Sequence, residues 1–142
     1  YLADSRFYIQ ERTMKGYIRD GHGDLSAEHI YFNPAPVITG RAINQEQRHT
    51  DILNDIARLG VDFDYYYRPH LDESLLENYM QYYPQDKPYK ARKLYAFFKL
   101  YQANNLLMIL IDNSTMFTLD DNHKRIINRY FELIGQYLGS LR

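Results

Sequence analysis

The sequence predicts an all-α fold, a bundle of four main helices with a bent or broken arm and a proline-containing crossing loop. Apolar residues recur at helical spacing along most of the 142 residues, and no stretch alternates long enough to predict a sheet. A chain of this length is expected to form one domain, residues 1–142. Its core is large enough to fold without a metal ion or a disulfide.

The first third of the chain predicts one helix and one loop. Apolar residues at helical spacing predict a helix over residues 3–19. The sequence DGHGD at residues 20–24 ends it, because two glycines within three residues favour a turn. Pro34 and Pro36 then exclude a long helix from residues 25–41, so we predict a structured loop that crosses the bundle.

The middle of the chain predicts two helices that stack into one bent arm. Asn44 and Gln47 have the spacing of a capping box. The helix that they open is expected to end at Leu59, with Gly60 as its C-terminal stop. Its polar first half should protrude, since its apolar residues occupy only the second half. The next helix is predicted over residues 70–83.

The last two predicted helices carry the strongest apolar patterns. The fourth is predicted over residues 88–112, since it begins with a proline, which suits a first turn. Its segment LLMILI, residues 106–111, is apolar on all sides and is predicted to be central. The last helix begins near Asp120. We expect Phe98 and Phe131 in the core, where replacement of either by alanine would cost about 3–5 kcal/mol.

Bulk properties exclude several classes of function. The formal net charge is -1, so no overall field favours nucleic acid or an anionic membrane as a partner. No apolar run approaches the ~20 residues of a membrane span. The chain contains no cysteine, which excludes thiol catalysis and a disulfide framework. It also contains no glycine-rich phosphate loop and no Gly-x-Ser-x-Gly motif, so neither a cofactor nor an enzymatic activity is predicted.

One predicted loop contains four residue types that bind metals, namely His22, Asp24, Glu28 and His29. Two imidazoles and two carboxylates form zinc sites in other proteins. The spacing of these four residues matches no recognised ligand pattern, however. We therefore predict solvated turn residues and no metal site.

Tyrosine is unusually frequent in this chain, which contains 15 tyrosines and no tryptophan. The three consecutive tyrosines at residues 65–67 cannot all point inward in a regular conformation, so part of this aromatic surface should reach solvent. Tyrosine and arginine bury large areas at recognition sites with little loss of entropy. The predicted ligand- or partner-binding surface combines this segment with a basic edge of the fourth helix: Tyr65, Tyr66, Tyr67, Arg68, Lys90, Arg92 and Lys93.

Each half of this surface has a structural alternative. Acidic residues precede the fourth helix, so its basic edge can instead pair with the third helix in an antiparallel hairpin. The tyrosines can instead belong to a linker whose aromatic rings cover the end of the bundle. The sequence leaves both alternatives open.

Neither end of the chain carries a good helix cap, so the first and last helices are predicted to continue into flanking segments of a longer chain. This arrangement resembles the extracytoplasmic helical sensor domains of bacterial receptors, whose first and last helices enter the membrane. The resemblance implies a non-enzymatic sensory or ligand-binding domain on the periplasmic side, with a small molecule or a protein as its partner. It is a resemblance of architecture, and no functional residue is carried over from it.

Two other functions fit the same pattern. A stand-alone helical interaction protein, such as an immunity protein, an inhibitor or an adaptor, would mask a partner protein, with the cytoplasm as the alternative location. An enzyme would have to assemble its site from dispersed carboxylates, histidines and tyrosines. Gly135 and Gly139 on the last helix would let another helix approach closely, which leaves a homodimer open.

Overall fold

A computed structural model describes residues 2–114 and 120–142, which are mostly helical. The elements in chain order are α1 (Leu2–Met14), β1 (Ile18–Asp20), β2 (Ile30–Phe32), β3 (Pro36–Ile38), α2 (Gln45–Arg48), β4 (His49–Asp51), α3 (Ile52–Tyr65), α4 (Pro69–Tyr82), α5 (Pro88–Ser114) and α6 (Asp121–Ser140). The predicted helical class is confirmed, and two small two-stranded sheets are added to it.

The core of the described residues consists of two clusters that share α3 and α5. The first lies between α1, α3, α4 and the first half of α5 and contains Tyr8, Leu53, Ile56, Ala57, Leu76, Ala91, Leu94 and Tyr95. The second lies between α3, the second half of α5 and α6 and contains Val61, Ala103, Leu107, Tyr130, Leu133 and Tyr137. Because α3 and α5 pass through both clusters, these two helices support the rest of the chain.

The first helix is shorter than predicted. α1 ends at Met14, and Gly16 adopts a φ of 75°, a left-handed conformation that favours glycine. The chain then forms β1, which pairs antiparallel with β4 and places Arg19 opposite Thr50. The predicted continuation of the helix to residue 19 is therefore wrong, because the glycine turn and the pairing with β4 replace the last helical turn.

The second predicted helix is divided in two. Asn44 does begin a helix, since its side chain accepts a hydrogen bond from the Glu46 amide over 2.9 Å, but α2 is only 4 residues long. β4 follows it, and Asp51 then caps α3 by accepting a hydrogen bond from the Leu53 amide over 2.9 Å. Each of the two helices therefore has its own side-chain cap.

Gly60 does not end α3, contrary to its predicted role. The helix continues to Tyr65, and Gly60 is buried in its second half. The Tyr95 hydroxyl and the Asp72 carboxylate occupy the space that a Cβ at residue 60 would need. Glycine is required there by the close approach of α4 and α5, not by a helix terminus.

The predicted crossing loop contains regular structure. A 3₁₀ turn at Ala27–His29 leads into a hairpin of β2 and β3, in which Tyr31 lies opposite Val37. The prediction that the chain forms no sheet is therefore wrong. Strands of three residues are too short to show a recognisable alternation of apolar and polar side chains.

The last three helices begin and end close to their predicted residues. Two predictions about their packing are wrong, however. In the LLMILI segment Leu107 is buried, but Met108 and Ile109 are more than half exposed. Phe131 is 56% exposed and lies outside the core, because it sits at the edge of the apolar arc of α6. Phe98 packs against the first cluster, as predicted.

Among the described helices, α5 alone has the length and hydropathy of a membrane span, over Pro88–Asp112. This property concerns length and composition alone. Within the structure the helix packs along α3 and α6. Lys99, near its middle, forms ion pairs with two carboxylates. α5 supplies residues to both core clusters, but only 22% of its most apolar window is buried.

Replacing Leu133 by alanine is expected to lower the free energy of unfolding by about 2–5 kcal/mol, because the side chain is fully buried in the second cluster. Phe131→Ala, two residues earlier on the same helix, should cost less than about 1 kcal/mol, since this side chain is largely exposed. Urea denaturation measures both values. Equal losses for the two variants would place Phe131 in the core and contradict the structure.

Candidate ligand-binding groove

The segment predicted as an aromatic binding surface forms the turn between α3 and α4, and is called the tyrosine turn below. Tyr65 is half-buried and packs on Tyr130, with ring centroids 5.2 Å apart. Tyr66 is exposed and meets the Tyr65 ring edge-on at 5.1 Å. Tyr67 and Arg68 are also exposed. The turn thus joins an aromatic anchor in the core to an aromatic surface in solvent.

Arg129 on α6 holds the tyrosine turn in place. Its guanidinium lies 3.8 Å from the centroid of the Tyr67 ring. It also donates hydrogen bonds to the carbonyl oxygens of Asp64 over 2.5 Å and of Tyr65 over 3.4 Å. Tyr67 has a φ of 58°, in the left-handed region that other residues than glycine seldom adopt. One face of the Tyr67 ring is therefore occupied from within the chain, which limits its use for a ligand.

Arg92, on the predicted basic edge, is paired within the chain. Its guanidinium lies 2.7 Å from a carboxylate oxygen of Glu73 and 3.6 Å from one of Glu77, both on α4. These are the ion pairs that the hairpin alternative requires. Arg92 also lines a cavity of about 330 Å³ beside Tyr95.

Lys90 and Lys93 lie near aromatic rings in the first turns of α5. Their Nζ atoms are 5.8 Å from the Tyr8 ring centroid and 5.2 Å from the Tyr89 ring centroid, respectively. At a rise of 1.5 Å per residue, Lys90 lies roughly 24 Å along α5 from Leu106, which lines the same pocket as the tyrosine turn. Arg92 lines one cavity and Tyr65 and Tyr66 line another, so the two halves of the predicted surface do not share either of these cavities.

A groove of about 710 Å³ opens where the segment of residues 23–50 folds back over α3 and α5. Most of its lining side chains can form hydrogen bonds, and they include Asp24, Glu28, Asn44, Glu46, Gln47, His49, Thr50, Asn54, Arg58, Tyr101, Gln102 and Asn105. Two apolar residues, Leu106 and Ile109, lie at one end. This volume is that of a small-molecule site, which typically measures ~300–1,000 Å³.

Side-chain amides form the floor of the groove. Gln102 on α5 donates a hydrogen bond to the Asn54 side-chain oxygen on α3 over 3.0 Å. Asn54 in turn donates to the Thr50 hydroxyl over 3.0 Å. Asn105 continues this polar lining along α5. The amide chain fixes the floor between two helices, so that it is formed before any ligand binds.

Acidic residues of α3 attach the overlying loop. The Asp55 carboxylate accepts hydrogen bonds from the backbone amides of His22 over 2.6 Å and of Gly23 over 2.8 Å. Asp62 accepts one from the Ala27 amide over 2.7 Å. The loop wall of the groove is therefore attached to α3 by specific hydrogen bonds.

Carboxylates outnumber cations in the groove lining. Arg58 lies 2.5 Å from Asp62 and 3.4 Å from Asp24, so its charge is shared between two carboxylates. Glu28 and Glu46 add two more carboxylates at the loop wall. A ligand with a positive charge, or with several N–H and O–H groups, would complement this lining through charge-assisted hydrogen bonds.

A smaller apolar pocket of about 260 Å³ continues from the groove, with Leu106 and Ile109 lining both. Tyr65, Tyr66 and Tyr130 supply its aromatic walls. Burial raises the pKa of Tyr65, and it raises the pKa of Tyr130 to about 12. Their hydroxyl groups are protonated at physiological pH, as those of ordinary tyrosines are, and can donate or accept hydrogen bonds. Of the predicted site residues, Tyr65 and Tyr66 are the two that line this pocket.

A buried ionic network lies on the other side of the tyrosine turn. The Lys99 ammonium lies 2.9 Å from Asp64 and 2.5 Å from Asp72. The Tyr137 hydroxyl donates a hydrogen bond to Asp64 over 2.7 Å, and the Tyr95 hydroxyl donates one to Asp72. The network joins α3, α4, α5 and α6. Its donors and acceptors are engaged with one another, so we assign it a structural role.

Ser26 and His29 resemble a nucleophile with its base, since Oγ and Nδ1 are 3.2 Å apart. Ser26 is only 1% exposed, however, and the same nitrogen of His29 is 2.9 Å from the Asp24 carbonyl oxygen. A substrate could not reach this hydroxyl. The rings of His22 and His29 pack 5.5 Å apart, and the described residues contain no group of three or more side chains suited to hold a metal ion.

Sequence reasoning missed the amide floor and Arg58. Local signals for both exist. Arg58 and Asp62 have the i,i+4 spacing of a helical ion pair. Gln102, Asn104 and Asn105 interrupt an otherwise apolar stretch of α5, and the spacing of Gln102 and Asn105 places these two on the same side of the helix. Neither signal identifies the loop that completes the groove.

Comparisons with protein-family models, with curated proteins and with solved structures each find no match to this chain. The geometry of the groove is therefore the basis on which a function can be assigned.

Proposed function

We propose that this chain is a non-enzymatic helical recognition domain, the extracytoplasmic sensory or ligand-binding domain of a bacterial membrane receptor, and that its ligand binds in the polar groove. The observation that supports this proposal is the groove of about 710 Å³ with its amide floor and apolar end. We interpret α3 to α6 as a four-helix bundle that carries the groove on one side. Flanking segments would connect the domain to the membrane.

The lining favours an amine- or hydroxyl-rich organic molecule with a short apolar portion. Carboxylates at the loop wall would accept hydrogen bonds from such a ligand, and the amides of Gln102 and Asn105 would supply both donors and acceptors. The apolar portion would contact Leu106, Ile109 and the exposed ring of Tyr66. An anionic ligand would meet the carboxylates of Glu28 and Glu46 and would be disfavoured.

The position of the groove suits a sensor. One wall is the loop of residues 23–50, and the opposite wall is α5, which packs along α6. A ligand that contacts both walls would stabilise arrangements in which the loop is closed on the helix. A ligand shifts an equilibrium only when it binds the two states with different affinity. A ligand that contacts both the loop and α5 would bind the closed arrangement more tightly than an open one, which provides that difference.

Thermal melting with a panel of ligands at about 1 mM tests the proposal. The panel comprises spermidine, a free amino acid, a monosaccharide and succinate. We expect a rise in melting temperature with an amine or a hydroxyl-rich member and none with succinate, because a ligand that binds only the native state stabilises it by mass action. Isothermal titration calorimetry then measures the affinity of the active class.

Two neighbouring asparagines supply a matched pair of variants. Asn105 lines the groove, whereas Asn104 is exposed and lies outside its lining. Asn105→Leu should weaken binding at least about tenfold, as loss of a buried polar contact does, and should leave the melting temperature of the free protein unchanged. Asn104→Leu should bind like the unmodified chain. Equal effects of the two substitutions, or no response to any panel member, would contradict the proposed site.

A further inference from the structure

Three tyrosine rings and one carboxylate line the small pocket at the end of the groove. The ring planes of Tyr65 and Tyr66 are 84° apart, with centroids at 5.1 Å, so the two rings form a corner. Tyr130 packs beside Tyr65, with centroids 5.2 Å apart and planes inclined by 31°. The Asp62 carboxylate lies in the same lining, which is otherwise apolar. These four residues are called the tyrosine cage below.

No cation of the described residues lies over the rings of the tyrosine cage, although Lys or Arg lies over several other tyrosines. The neighbouring Tyr67, for example, has the Arg129 guanidinium 3.8 Å from its ring centroid. The face of an aromatic ring is negative and attracts a cation within about 6 Å of the centroid. A cation from outside the chain would therefore not have to displace one of the chain's own from the cage.

The charges around the tyrosine cage favour a cation as well. Asp62 shares Arg58 with Asp24, so one guanidinium balances two carboxylates. Arg129 is itself paired with Glu132 over 3.0 Å. Arg58 lines the groove, whereas Asp62 lines the cage. An excess of negative charge therefore lies where the groove and the cage meet.

The lining of the tyrosine cage suits a methylated ammonium group better than a bare one. A compact ammonium is strongly hydrated, whereas a quaternary ammonium presents methyl groups that pack on aromatic faces. The cage measures about 260 Å³, less than the ~300–1,000 Å³ of a complete small-molecule site. It is therefore of a size for the charged end of a ligand, whose polar remainder would extend past Leu106 and Ile109 into the groove.

We propose that the tyrosine cage binds the quaternary ammonium group of a small ligand whose hydroxyl end lies in the polar groove. The inference rests on the proposed function, because it names the ligand class of the same site. Leu106 and Ile109 line both cavities, so one short molecule can contact both. A ligand with an added carboxylate or phosphate would meet Glu28 and Glu46 in the groove and would bind more weakly.

Choline and its uncharged isostere 3,3-dimethyl-1-butanol test the requirement for charge, because a carbon atom replaces the nitrogen within the same shape. A ligand of so few atoms is expected to bind with a dissociation constant on the order of 1 mM, which isothermal titration calorimetry measures. The isostere should bind at least about fivefold more weakly, on the scale of a cation–π contact. Ethanolamine, which lacks the methyl groups, should also bind more weakly. Equal binding of choline and the isostere would overturn the proposal.

Tyr66→Leu removes one wall of the tyrosine cage at a side chain that is 64% exposed, so the fold should not depend on it. It should weaken choline binding at least about fivefold and affect the isostere less, whereas Tyr66→Phe retains the ring and should recover most of the binding. Tyr82→Leu is the matched control, since Tyr82 is 81% exposed and lines none of the three cavities described. Equal effects of the two leucine substitutions, or no choline binding at about 10 mM, would overturn the proposal.

Asn105→Leu separates failure of the tyrosine cage from failure of the groove. If choline does not bind but another amine does, and Asn105→Leu weakens that amine, the proposed function stands and the cage is overturned. If Tyr66→Leu weakens choline binding and Asn105→Leu does not, the cage is supported and the groove is not part of the site. Phosphatidylcholine vesicles carry the same ammonium group on a lipid. Cosedimentation with these vesicles, without binding of free choline, would overturn the assignment of a small ligand.

Discussion

Replacing Lys99 by methionine is expected to lower the free energy of unfolding by about 3–5 kcal/mol, because it leaves two buried carboxylates without their cation. Asp64 and Asp72 both lie within 2.9 Å of the Lys99 ammonium, and the three side chains are each at most 12% exposed. Without the lysine the two negative charges repel each other in a poorly solvated site. Urea denaturation at neutral pH measures the loss.

The pH dependence of this loss distinguishes an electrostatic cause from a cavity. Burial lowers the pKa of Lys99, but Asp72 and Asp64 outweigh it, so the pKa is raised above its usual value. The lysine of the native protein therefore keeps its charge up to about pH 10, and its contribution is lost only above that range. The deficit of Lys99→Met should shrink as the pH falls toward about 4, where carboxylates in general become protonated and no longer need a cation.

Two further variants serve as controls for Lys99→Met. Lys90→Met removes an exposed lysine from the same helix and should change the stability by no more than about 0.5 kcal/mol. The triple variant Lys99→Met, Asp64→Asn, Asp72→Asn removes all three charges and should recover part of the loss. A deficit below about 1 kcal/mol, or one that does not change with pH, would contradict the assigned ionic network.

The long helices could be predicted from the sequence because each carries its own signal. α4, α5 and α6 contain 14, 27 and 20 residues, long enough for the apolar period to repeat several times. Their starts are marked by Pro69, Pro88 and Asp120, residues that favour the first turn or the cap. In this half of the chain, the helices that the local sequence predicts are the helices that the folded structure contains.

The N-terminal half could not be predicted in the same way. β1 and β4 are three residues each, and they pair across about thirty residues of intervening chain. Neither strand has a period that could be recognised by itself. Gly60 shows the same limitation. A glycine at this place in the sequence is typical of a helix end, but here its missing side chain leaves room for Tyr95 and Asp72. Its role depends on residues that are distant in sequence.

Some features of the candidate site could likewise be predicted from the local sequence, whereas others depend on tertiary packing. The exposure of Tyr66 follows from local geometry, because three consecutive tyrosines cannot share one side of the backbone. The hydrogen bond between Asn54 and Gln102 forms only when α3 packs on α5, so the amide floor has no local signature. Arg92 could bind an external anion or pair internally, and only the position of Glu73 on the neighbouring helix decides between these uses.

Arg12→Met is expected to cost about 3–5 kcal/mol, because Arg12 is the cation of a second buried ion pair. Its guanidinium donates hydrogen bonds to both oxygens of Asp51, over 2.6 and 2.8 Å, and to the Gln85 side-chain oxygen over 2.7 Å. It also lies 4.1 Å from the centroid of the Tyr17 ring. Methionine fills a similar volume but leaves the Asp51 charge and the Gln85 oxygen unpaired in a site where Arg12 is 1% exposed.

The location of the Arg12–Asp51 ion pair leads to a second expectation for Arg12→Met. Arg12 lies on α1, whereas Asp51 is the N-cap of α3, so the pair attaches the first helix to the first core cluster. Amide hydrogen exchange should therefore accelerate most in α1 and β1, and less in α6. A uniform acceleration across the chain would indicate loss of global stability without this local attachment.

A surface lysine that also forms ion pairs with carboxylates provides the control for Arg12→Met. Lys15 bridges Glu11 and Asp86, but its side chain is 44% exposed, so Lys15→Met should cost less than about 1 kcal/mol. Salt should weaken that exposed contribution, because ions screen surface charges within about 10 Å at 0.1 M, and it should change the Arg12 contribution far less. If Arg12→Met and Lys15→Met cost the same and respond equally to salt, then the Arg12–Asp51 pair is solvated in solution, and α1 is not attached to α3 in the way described.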